Sequence, residues 1–429
     1  MKIAMFTNLY LPIVGGVSIS VERFSEAYRE RHHDVLIVAP RFPGQPDREE
    51  HVLRIPAIQE FNGTDFSVAL PPGHELKALL NDFAPDLIHS HHPFLLGDAA
   101  VREANRLRIP LVYTHHTMYE HYTHYVPMDC RLLRDFVVQL ATRYTDFCSL
   151  VIVPSESVAR ILRQRGVASP IRVVPTGVEP EQFEGGSARE GRRKAGIDPD
   201  CPIIGHVGRL AEEKNLAFLT RAVSRAMEEL QDARFLVVGA GDMEQTMERM
   251  LRERGLGDRA VFAGSRGGRD LSDFYAAMDV FVFASKTETQ GMVLAEALTA
   301  RTPVVALDAP GAREVVEDRR QGRLVGEEDE GVFAEAVAWV LRRPDDERTA
   351  MQSRARDRAD AFSLGTCVDM ALDAYEQALR ASPPTVDQHG EREWDRLRTS
   401  IRSQWDIWRH RAASLVDAIE RRKPHGDDP

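Results

Sequence analysis

The sequence is poor in cysteine and has no long hydrophobic run. Its four cysteines are scattered over 429 residues without a C-x-x-C pair or the spacing of a disulfide framework, so we expect reduced, mostly buried thiols. The longest apolar runs, such as Val280–Ala284, fall far short of the roughly 20 residues that cross a bilayer. The N-terminal residues pass straight into a strand-like run with no signal-peptide pattern. These absences predict a cytoplasmic protein without a membrane span.

An excess of positive charge is also missing. The formal net charge is -11, which excludes duplex nucleic acid as a main partner because phosphate binding requires a basic field. Hydrophobic residues make up 43% of the chain and charged residues 28%, the balance of a soluble globular protein. A chain of 429 residues is too long for one ordinary core and fits two domains of roughly 200 residues each.

Short apolar runs alternate with amphipathic stretches, which is typical of parallel sheets covered by helices on both faces. We therefore predict an α/β protein with two Rossmann-like domains, residues 1–180 and 181–382, the last helix of the second being able to cross back to the first. The predicted hinge is Pro175–Pro180 with the polar, Gly-rich run 183–191. The predicted strands are Lys2–Thr7, Val35–Ala39, Leu87–Ser90, Leu111–Thr114, Leu150–Val153, Arg172–Val174, Ile203–Val207, Arg234–Val238, Ala260–Ala263, Val280–Ala284 and Pro303–Ala306.

Residues 383–429 differ from the rest of the chain. Residues 391–423 carry nine Lys and Arg against six Asp and Glu, in a chain that is acidic elsewhere. This composition suits a membrane-surface helix, and it equally suits packing on the chain's own domains or a homodimer contact. The apolar residues recur at steps of three or four, as on one face of an amphipathic helix; they are Trp394, Leu397, Ile401, Trp405, Trp408, Ala412, Leu415 and Ile419.

A pair of glycines follows the first predicted strand. Gly15 and Gly16 precede a helix, where glycine lets backbone N–H groups approach a phosphate or a sugar beside the positive end of the helix. The same pair also fits an ordinary flexible turn. The loop is not G-x-G-x-x-G, and Gly239–Gly241 lacks the third glycine, so dinucleotide binding is poorly supported.

Two cations follow the strand Ile203–Val207. The loop that begins at Gly208 carries Arg209 and Lys214 and leads into a helix. Open α/β sheets bind ligands in the crevice above the strand ends, and two cations beside a helix start suit a diphosphate there. A pair of solvated surface side chains is the alternative.

Two carboxylates follow the strand Val280–Ala284. Glu288 precedes a predicted helix and Glu296 lies inside it, so both side chains can face one cleft. Carboxylates accept hydrogen bonds from paired hydroxyls of a sugar or ribose, and the N–H groups at Gly291, Met292 and Val293 can hold ligand oxygens. The alternative places Glu288 as a helix-capping residue and Glu296 on a solvated face.

Histidines are concentrated after two neighbouring predicted strands of the first half. A metal cluster is conceivable, but the spacing is not that of a helix-borne zinc site. Hydrogen bonding to a substrate fits their position better, and a purely structural role would also fit it. The histidines concerned are His89, His91, His92, His115, His116, His121 and His124.

Together these segments resemble the family 4 retaining glycosyltransferases of GT-B architecture, over about residues 1–380. The matching elements are Gly15–Gly16, the segment Pro175–Glu179, the Gly208 to Lys214 loop and the Glu288-x7-Glu296 segment. The resemblance implies two Rossmann-like domains facing a central cleft, an acceptor-side domain followed by one that binds a nucleotide sugar.

The resemblance also implies a role for each matched residue. Arg209 and Lys214 would hold the diphosphate and Glu296 the ribose. Glu288 and the backbone at Gly291, Met292 and Val293 would hold the transferred sugar. Gly16 would approach the diphosphate and the acceptor, and His116 matches the family's active-site histidine, although the adjacent His115 leaves that position open. Enzymes of this architecture do not generally need a metal or a cofactor.

The region around His91–Gly97 and Thr114–Pro127 resembles bacterial members that glucosylate diacylglycerol. We therefore expect an enzyme that transfers a hexose from a nucleoside-diphosphate sugar, for which we choose UDP-glucose, to a lipid hydroxyl. We expect this enzyme to be cytoplasmic and peripheral to the inner face of the cell membrane. The alternatives are a soluble or polysaccharide acceptor, and a nucleotide-sugar epimerase on the same architecture.

Overall fold

The computed structural model describes residues 1–13, 15–45, 49–58, 68–69, 74–121 and 131–381. Both sheets described below belong to one compact unit, Met1–Pro383. The predicted amphipathic helix of 383–429 and His124 lie outside the described residues. No helix in the described part of the chain is long and apolar enough to span a membrane.

The N-terminal lobe contains a seven-stranded parallel sheet. Its strands are β1 (Lys2–Phe6), β2 (Asp34–Pro40), β3 (Val52–Ile55), β6 (Leu87–Ser90), β7 (Leu111–Thr114), β8 (Leu150–Val153) and β9 (Ile171–Val173). They lie in the order β3-β2-β1-β6-β7-β8-β9. A separate antiparallel pair joins β4 (Ala57–Ile58) to β5 (Val68–Ala69). The helices are α1 (Gly16–Glu30), α2 (His74–Phe83), α3 (Leu96–Leu107), α4 (Arg131–Tyr144) and α5 (Glu156–Gln164).

The C-terminal lobe contains a six-stranded parallel sheet. Its strands are β10 (Ile203–Val207), β11 (Arg234–Val238), β12 (Ala260–Phe262), β13 (Val280–Phe283), β14 (Val304–Leu307) and β15 (Gly322–Val325). They lie in the order β12-β11-β10-β13-β14-β15. The helices that follow the N-terminal lobe are α6 (Pro180–Glu184), α7 (Ala188–Ala195), α8 (Leu216–Glu229), α9 (Glu244–Glu253), α10 (Gly268–Ala277), α11 (Met292–Thr299), α12 (Ala312–Val315), α13 (Glu330–Leu341), α14 (Asp345–Ala359) and α15 (Leu364–Arg380).

The central strands of the C-terminal sheet bury both of their faces. Successive side chains of a strand point to opposite faces, so Ile203 and Ile204 enter two different cores. Ile204 packs with α8 and α13 residues such as Phe333, whereas Ile203 packs with α10 and α11 residues such as Tyr275. Burial on both faces explains why these strands are short, continuously apolar runs without alternation.

The last described helix belongs to the N-terminal core. Cys367, Val368 and Tyr375 of α15 are buried with Ile3 and Tyr28 of the first lobe. The chain therefore enters the C-terminal lobe near residue 180 and returns along α15, so that two stretches of chain connect the lobes.

The predicted α/β fold with two Rossmann-like sheets is confirmed, and the structure adds local elements that were not predicted. Within the run 183–191, α6 ends at Glu184 and α7 begins at Ala188, with Ser187 accepting the Glu190 N–H as the cap of α7. The strands β3 and β15 were not predicted. Both contain an arginine, Arg54 or Arg323, which interrupts the apolar run that signals a buried strand.

Candidate functional site

Each sheet has a point at which the strand order reverses, and the predicted residues lie there. The reversal falls between β1 and β6 in the N-terminal sheet and between β10 and β13 in the C-terminal sheet. Ligands of open α/β sheets bind outside the carboxyl ends of the strands at such a point. Gly15 follows β1 and His91 follows β6, while Lys214 follows β10 and Glu288 follows β13.

Lys214 and Glu288 form an ion pair across the C-terminal reversal point. Nζ of Lys214 donates to Oε1 of Glu288, and only 18% and 20% of the two side chains are exposed. Arg209 lies in the same loop, where Nη2 is 2.5 Å from Oε1 of the largely buried Glu213 side chain. Lys214 is therefore not a solvated surface side chain, and Glu288 binds a cation instead of capping α11, which has no side-chain cap.

Glycine is required by the backbone at the start of this loop. Gly208 has φ +152°, a conformation that other residues rarely adopt. A Cβ on Gly239, in the loop after β11, would lie 1.9 Å from the Gly208 carbonyl oxygen. The two loops consequently pack backbone against backbone and hold the Arg209 and Lys214 segment over the sheet edge.

Glu296 is buried beneath the same edge. Only 9% of the residue is exposed, and the Tyr275 hydroxyl donates to its Oε2 over 2.8 Å, so Glu296 does not lie on a solvated face. Desolvation by burial raises the pKa of Glu296 above its ordinary value. Above it, Gly291 adopts a left-handed conformation (φ +71°) and the first N–H groups of α11, at Met292 and Val293, have no partner inside the helix.

Gly15 and Gly16 are exposed at the start of α1. Neither has a positive φ, and a Cβ on either would meet no atom within 4 Å. Neither backbone conformation nor packing therefore explains two glycines here. The open space in front of them can admit a ligand close to the backbone.

The two candidate histidines after β7 point in different directions. His115 is buried with 1% exposure, and its Nδ1 is 3.1 Å from the Tyr113 hydroxyl. His116 is partly exposed, and its Nε2 is 2.9 Å from Nδ1 of His91. His116 is thus the member of the pair that lies toward the open end of the sheet.

His89, His91 and His92 are buried and hydrogen-bonded, and the side chain of His121 lies outside the part of the chain that the structure describes. His89 contacts the Tyr375 hydroxyl through Nδ1 at 2.7 Å and the Thr114 hydroxyl through Nε2 at 2.6 Å, and His92 accepts the Asn8 N–H at 3.1 Å. Desolvation lowers the pKa of His89 and of His92 to about 3. The same cause lowers the pKa of His116 to about 4, so these rings are neutral near pH 7.

The N-terminal and C-terminal lobes meet at the residues that follow Glu288, which sequence reasoning missed. The Thr289 hydroxyl donates to the His116 carbonyl at 2.9 Å, and the Thr289 carbonyl accepts from the Ser155 hydroxyl at 2.7 Å. The Gln290 side chain accepts the Thr176 N–H at 2.5 Å and donates to the Thr176 carbonyl at 2.8 Å. Their only sequence signal was adjacency to Glu288.

The chemistry available at this edge is the binding of anions and hydroxyls. Among the described residues, no group of three or more His, Cys, Asp and Glu side chains could hold a metal ion. The available groups are two cations, two carboxylates, helix N–H groups without intrahelical partners and a neutral histidine. Such a set fits a ligand with a diphosphate and several hydroxyls.

Comparisons with known proteins agree with this architecture. A family model described as Glycosyltransferase Family 4 matches residues 14–182, and one described as Glycosyl transferases group 1 matches residues 187–358. The chain is similar to sucrose-phosphate synthase from Thermosynechococcus elongatus, with a TM-score of 0.72 and 23% identity, covering 88% of this chain and 98% of that structure.

Two curated relatives extend over most of the sequence. A GDP-mannose-dependent alpha-mannosyltransferase of Mycobacterium tuberculosis is 32% identical, over 87% of this chain and 96% of the relative. An alpha-monoglucosyldiacylglycerol synthase of Streptococcus pneumoniae is 29% identical, over 79% of this chain and 78% of the relative. With its two Rossmann-like lobes and its two matched family models, the chain belongs to glycosyltransferase family 4 and is a hexosyltransferase of the GT-B fold.

Proposed function

We propose that the protein transfers glucose from UDP-glucose to a lipid hydroxyl, such as that of diacylglycerol, with retention of the anomeric configuration. The observation that carries the proposal is the Lys214 to Glu288 pair, which joins a cation and a carboxylate at the strand reversal of the C-terminal sheet. Similarity to the diacylglycerol-glucosylating relative supports the choice of sugar and acceptor. In this proposal residues 1–180 bind the acceptor, 181–382 bind the nucleotide sugar and 383–429 form a helical extension.

In this proposal Arg209 and Lys214 bind the diphosphate of the donor. Each already contacts a carboxylate, and the charged oxygens of the donor diphosphate would replace that carboxylate as the partner of each cation. Negative charge accumulates on the departing diphosphate when the glycosyl bond breaks. Positioned cations stabilise that charge in the transition state.

Glu288, released from Lys214, accepts hydrogen bonds from the hydroxyls of the transferred sugar. The N–H groups at Gly291, Met292 and Val293 bind its remaining oxygens, and Glu296 binds the ribose from below. Gly15 and Gly16 let the first turn of α1 approach the diphosphate and the acceptor. A neutral His116 orients the sugar by hydrogen bonding, since a ring whose pKa lies near 4 is a weak base at pH 7.

Retention fits this arrangement without a protein base. When the acceptor hydroxyl attacks from the face that the diphosphate leaves, the departing phosphate oxygen takes the hydroxyl proton. Glu288 and Glu296 then serve two parts of the donor, the sugar and the ribose, and do not act as an acid and a nucleophile.

A GDP-mannose donor is the second candidate. Identity to the mannosyltransferase relative is 32% over 96% of its length, and the contacts to diphosphate, ribose and sugar proposed above are shared by both donors. The acceptor can then be a soluble or polysaccharide hydroxyl as well as a lipid.

Peripheral membrane association and dimer formation are further parts of the proposal, and both rest on residues 391–423. Their nine basic residues and three tryptophans suit the interface of anionic lipids. Flotation with vesicles of neutral or anionic lipid measures membrane binding, and light scattering measures dimer formation. Both are carried out on the full chain and on its Trp405→Ser variant. Together they distinguish a membrane-binding segment from a dimerising one.

The test of the function is a panel of UDP-, GDP- and ADP-sugars with diacylglycerol or soluble acceptors. We expect a glucosyl lipid with an α linkage by NMR from UDP-glucose. An isomerised donor in the absence of any acceptor would support the epimerase alternative instead. Transfer only from GDP-mannose would replace the proposed donor and leave the roles of Arg209, Lys214 and Glu288 unchanged.

A further inference from the structure

Three consecutive residues after β13 contact three different parts of the protein. Glu288 pairs with Lys214 in the C-terminal lobe. Thr289 donates its hydroxyl to the His116 carbonyl in the N-terminal lobe, at 2.9 Å. Gln290 binds both backbone groups of Thr176 in the connection between the lobes. One short segment therefore joins the donor-binding loop, the candidate histidine and the interlobe connection.

This segment is also supported from behind. A Cβ on Gly311, in the loop that precedes α12, would lie 3.0 Å from Glu288 Cβ and 3.0 Å from the Gln290 carbonyl carbon. Gln290 is 3% exposed, and both polar atoms of its amide are bonded to Thr176. The segment packs closely against Gly311 and therefore has little room to move deeper into the C-terminal lobe. Its position consequently determines where the hydrogen-bonded His116 backbone lies.

The Thr289 contact links the His116 backbone to the residue next to Glu288. Neighbouring Cα atoms are about 3.8 Å apart, so the hydroxyl of Thr289 fixes the His116 carbonyl within one residue of Glu288. We propose that Thr289 is a positioning residue, whose hydroxyl holds His116 against the donor sugar and closes the cleft to water before transfer. This inference rests on the proposed function, in which His116 and Glu288 contact the same sugar.

Thr287 provides a matched comparison in the same loop. Its hydroxyl also donates to a backbone carbonyl, that of Glu213 at 3.3 Å, but this contact stays within the C-terminal lobe. Both threonines are partly buried and lie one residue from Glu288, on opposite sides. Removing each hydroxyl separately therefore distinguishes a contact across the lobes from an ordinary loop contact.

The experiment compares Thr289→Val, Thr289→Ser and Thr287→Val in the full chain. For each, transfer to acceptor is measured over a range of donor concentrations, and release of nucleotide without acceptor is measured under saturating donor. We expect Thr289→Val to lower kcat for transfer about 10-fold with little change in donor KM, because small misplacements of reacting groups are costly. It should also raise the fraction of donor lost to hydrolysis, since a loosened contact admits water. Thr289→Ser should restore both values, and Thr287→Val should keep the wild-type ratio.

The inference is overturned if Thr289→Val keeps the wild-type ratio of transfer to hydrolysis, or if Thr289→Ser is as impaired as Thr289→Val. Thr289→Ala gives the same comparison if the valine variant does not fold. Absence of transfer by the wild-type protein with every donor and acceptor would instead contradict the proposed function. The two failures are therefore distinguishable, because the second appears before any variant is made.

Discussion

The two sheet edges that face the candidate site have the same topology and opposite chemistry. Neutral histidines lie around the reversal point of the N-terminal sheet, all of them buried except the partly exposed His116. His91 contacts His116, and His89 contacts Tyr375 and Thr114. Around the reversal point of the C-terminal sheet lie charged groups joined in partly exposed pairs, Lys214 with Glu288 and Arg209 with Glu213. The same arrangement of strands thus presents a neutral surface on one side and exchangeable charges on the other.

This difference indicates that the two sheet edges have different roles in binding. The cations of the C-terminal edge have carboxylates as partners, and the oxygens of an anionic ligand can take the place of those carboxylates. A buried neutral histidine cluster resists both protonation and rearrangement because desolvation opposes the charged ring. The C-terminal edge is therefore suited to bind and release a charged donor, while the N-terminal edge is suited to hold a fixed hydrogen-bonding surface.

The largest effect should come from removing a cation at the C-terminal edge. We expect Lys214→Ala to lower transfer by roughly 100-fold with the fold kept, because the leaving diphosphate loses a charged donor in the transition state. Steady-state kinetics with the identified donor and circular dichroism measure the two parts of this prediction.

The matched control for that variant is Lys286→Ala. Lys286 also pairs with a glutamate, Glu328, but 54% of its side chain is exposed and the pair lies outside the Lys214 and Glu288 contact. We expect its activity to stay within about threefold of the wild type, as for a surface ion pair. Equal losses of activity in both variants would mean that any positive charge in this loop supports transfer, whether or not it pairs with Glu288. The contrast between the two sheet edges would then be wrong.

A smaller effect is expected at the buried carboxylate. Glu296→Gln keeps the shape of the side chain and the neighbourhood of Tyr275 but removes the charge that would accept two ribose hydroxyl protons. We expect donor KM to rise about 10-fold with kcat nearly unchanged, as for the loss of a charged hydrogen bond that is the same in ground and transition states.

The stability of the Glu296→Gln variant should not fall, although its donor binding should weaken. Burial raises the folded-state pKa of Glu296 above its unfolded value, so the folded state holds the proton more tightly and stability falls as pH rises through that range. At pH 7 the Gln variant avoids this loss and should melt at a temperature equal to or above that of the wild type. A lower melting temperature together with a normal KM would assign Glu296 to the fold alone.

The sequence predicted the fold class, and the same features of the sequence led to the candidate site residues. Buried parallel strands are short apolar runs, and ligands bind at their carboxyl ends, so residues in the loops after such runs, such as Lys214 and Glu288, could be proposed as site residues without coordinates. Their pairing could not be predicted, since it depends on β10 and β13 being neighbours in the sheet. The roles of Thr289 and Gln290 were also hidden, because they depend on contacts with residues 114 or more positions away.

The histidine cluster provides the last comparison, through the pH dependence of stability. The pKa of His89 is lowered to about 3 in the folded state, below the ordinary value of 6.5. Below pH 6.5 the unfolded chain therefore binds a proton that the folded protein does not bind, and stability is lost as pH falls from about 6.5 toward 3. Linkage gives about 1.4 kcal/mol per pH unit for each such group.

We expect His89→Gln to reduce the change in the free energy of unfolding with pH by the contribution of about one proton, because glutamine cannot titrate. This expectation holds whatever the stability of the variant at pH 7. Urea unfolding at pH 7, 6 and 5 measures the slope, and differences between variants cancel the titration of carboxylates that all of them share. An unchanged slope in His89→Gln would mean that the folded protein accepts the proton there, and the N-terminal edge would then not be the neutral surface described above.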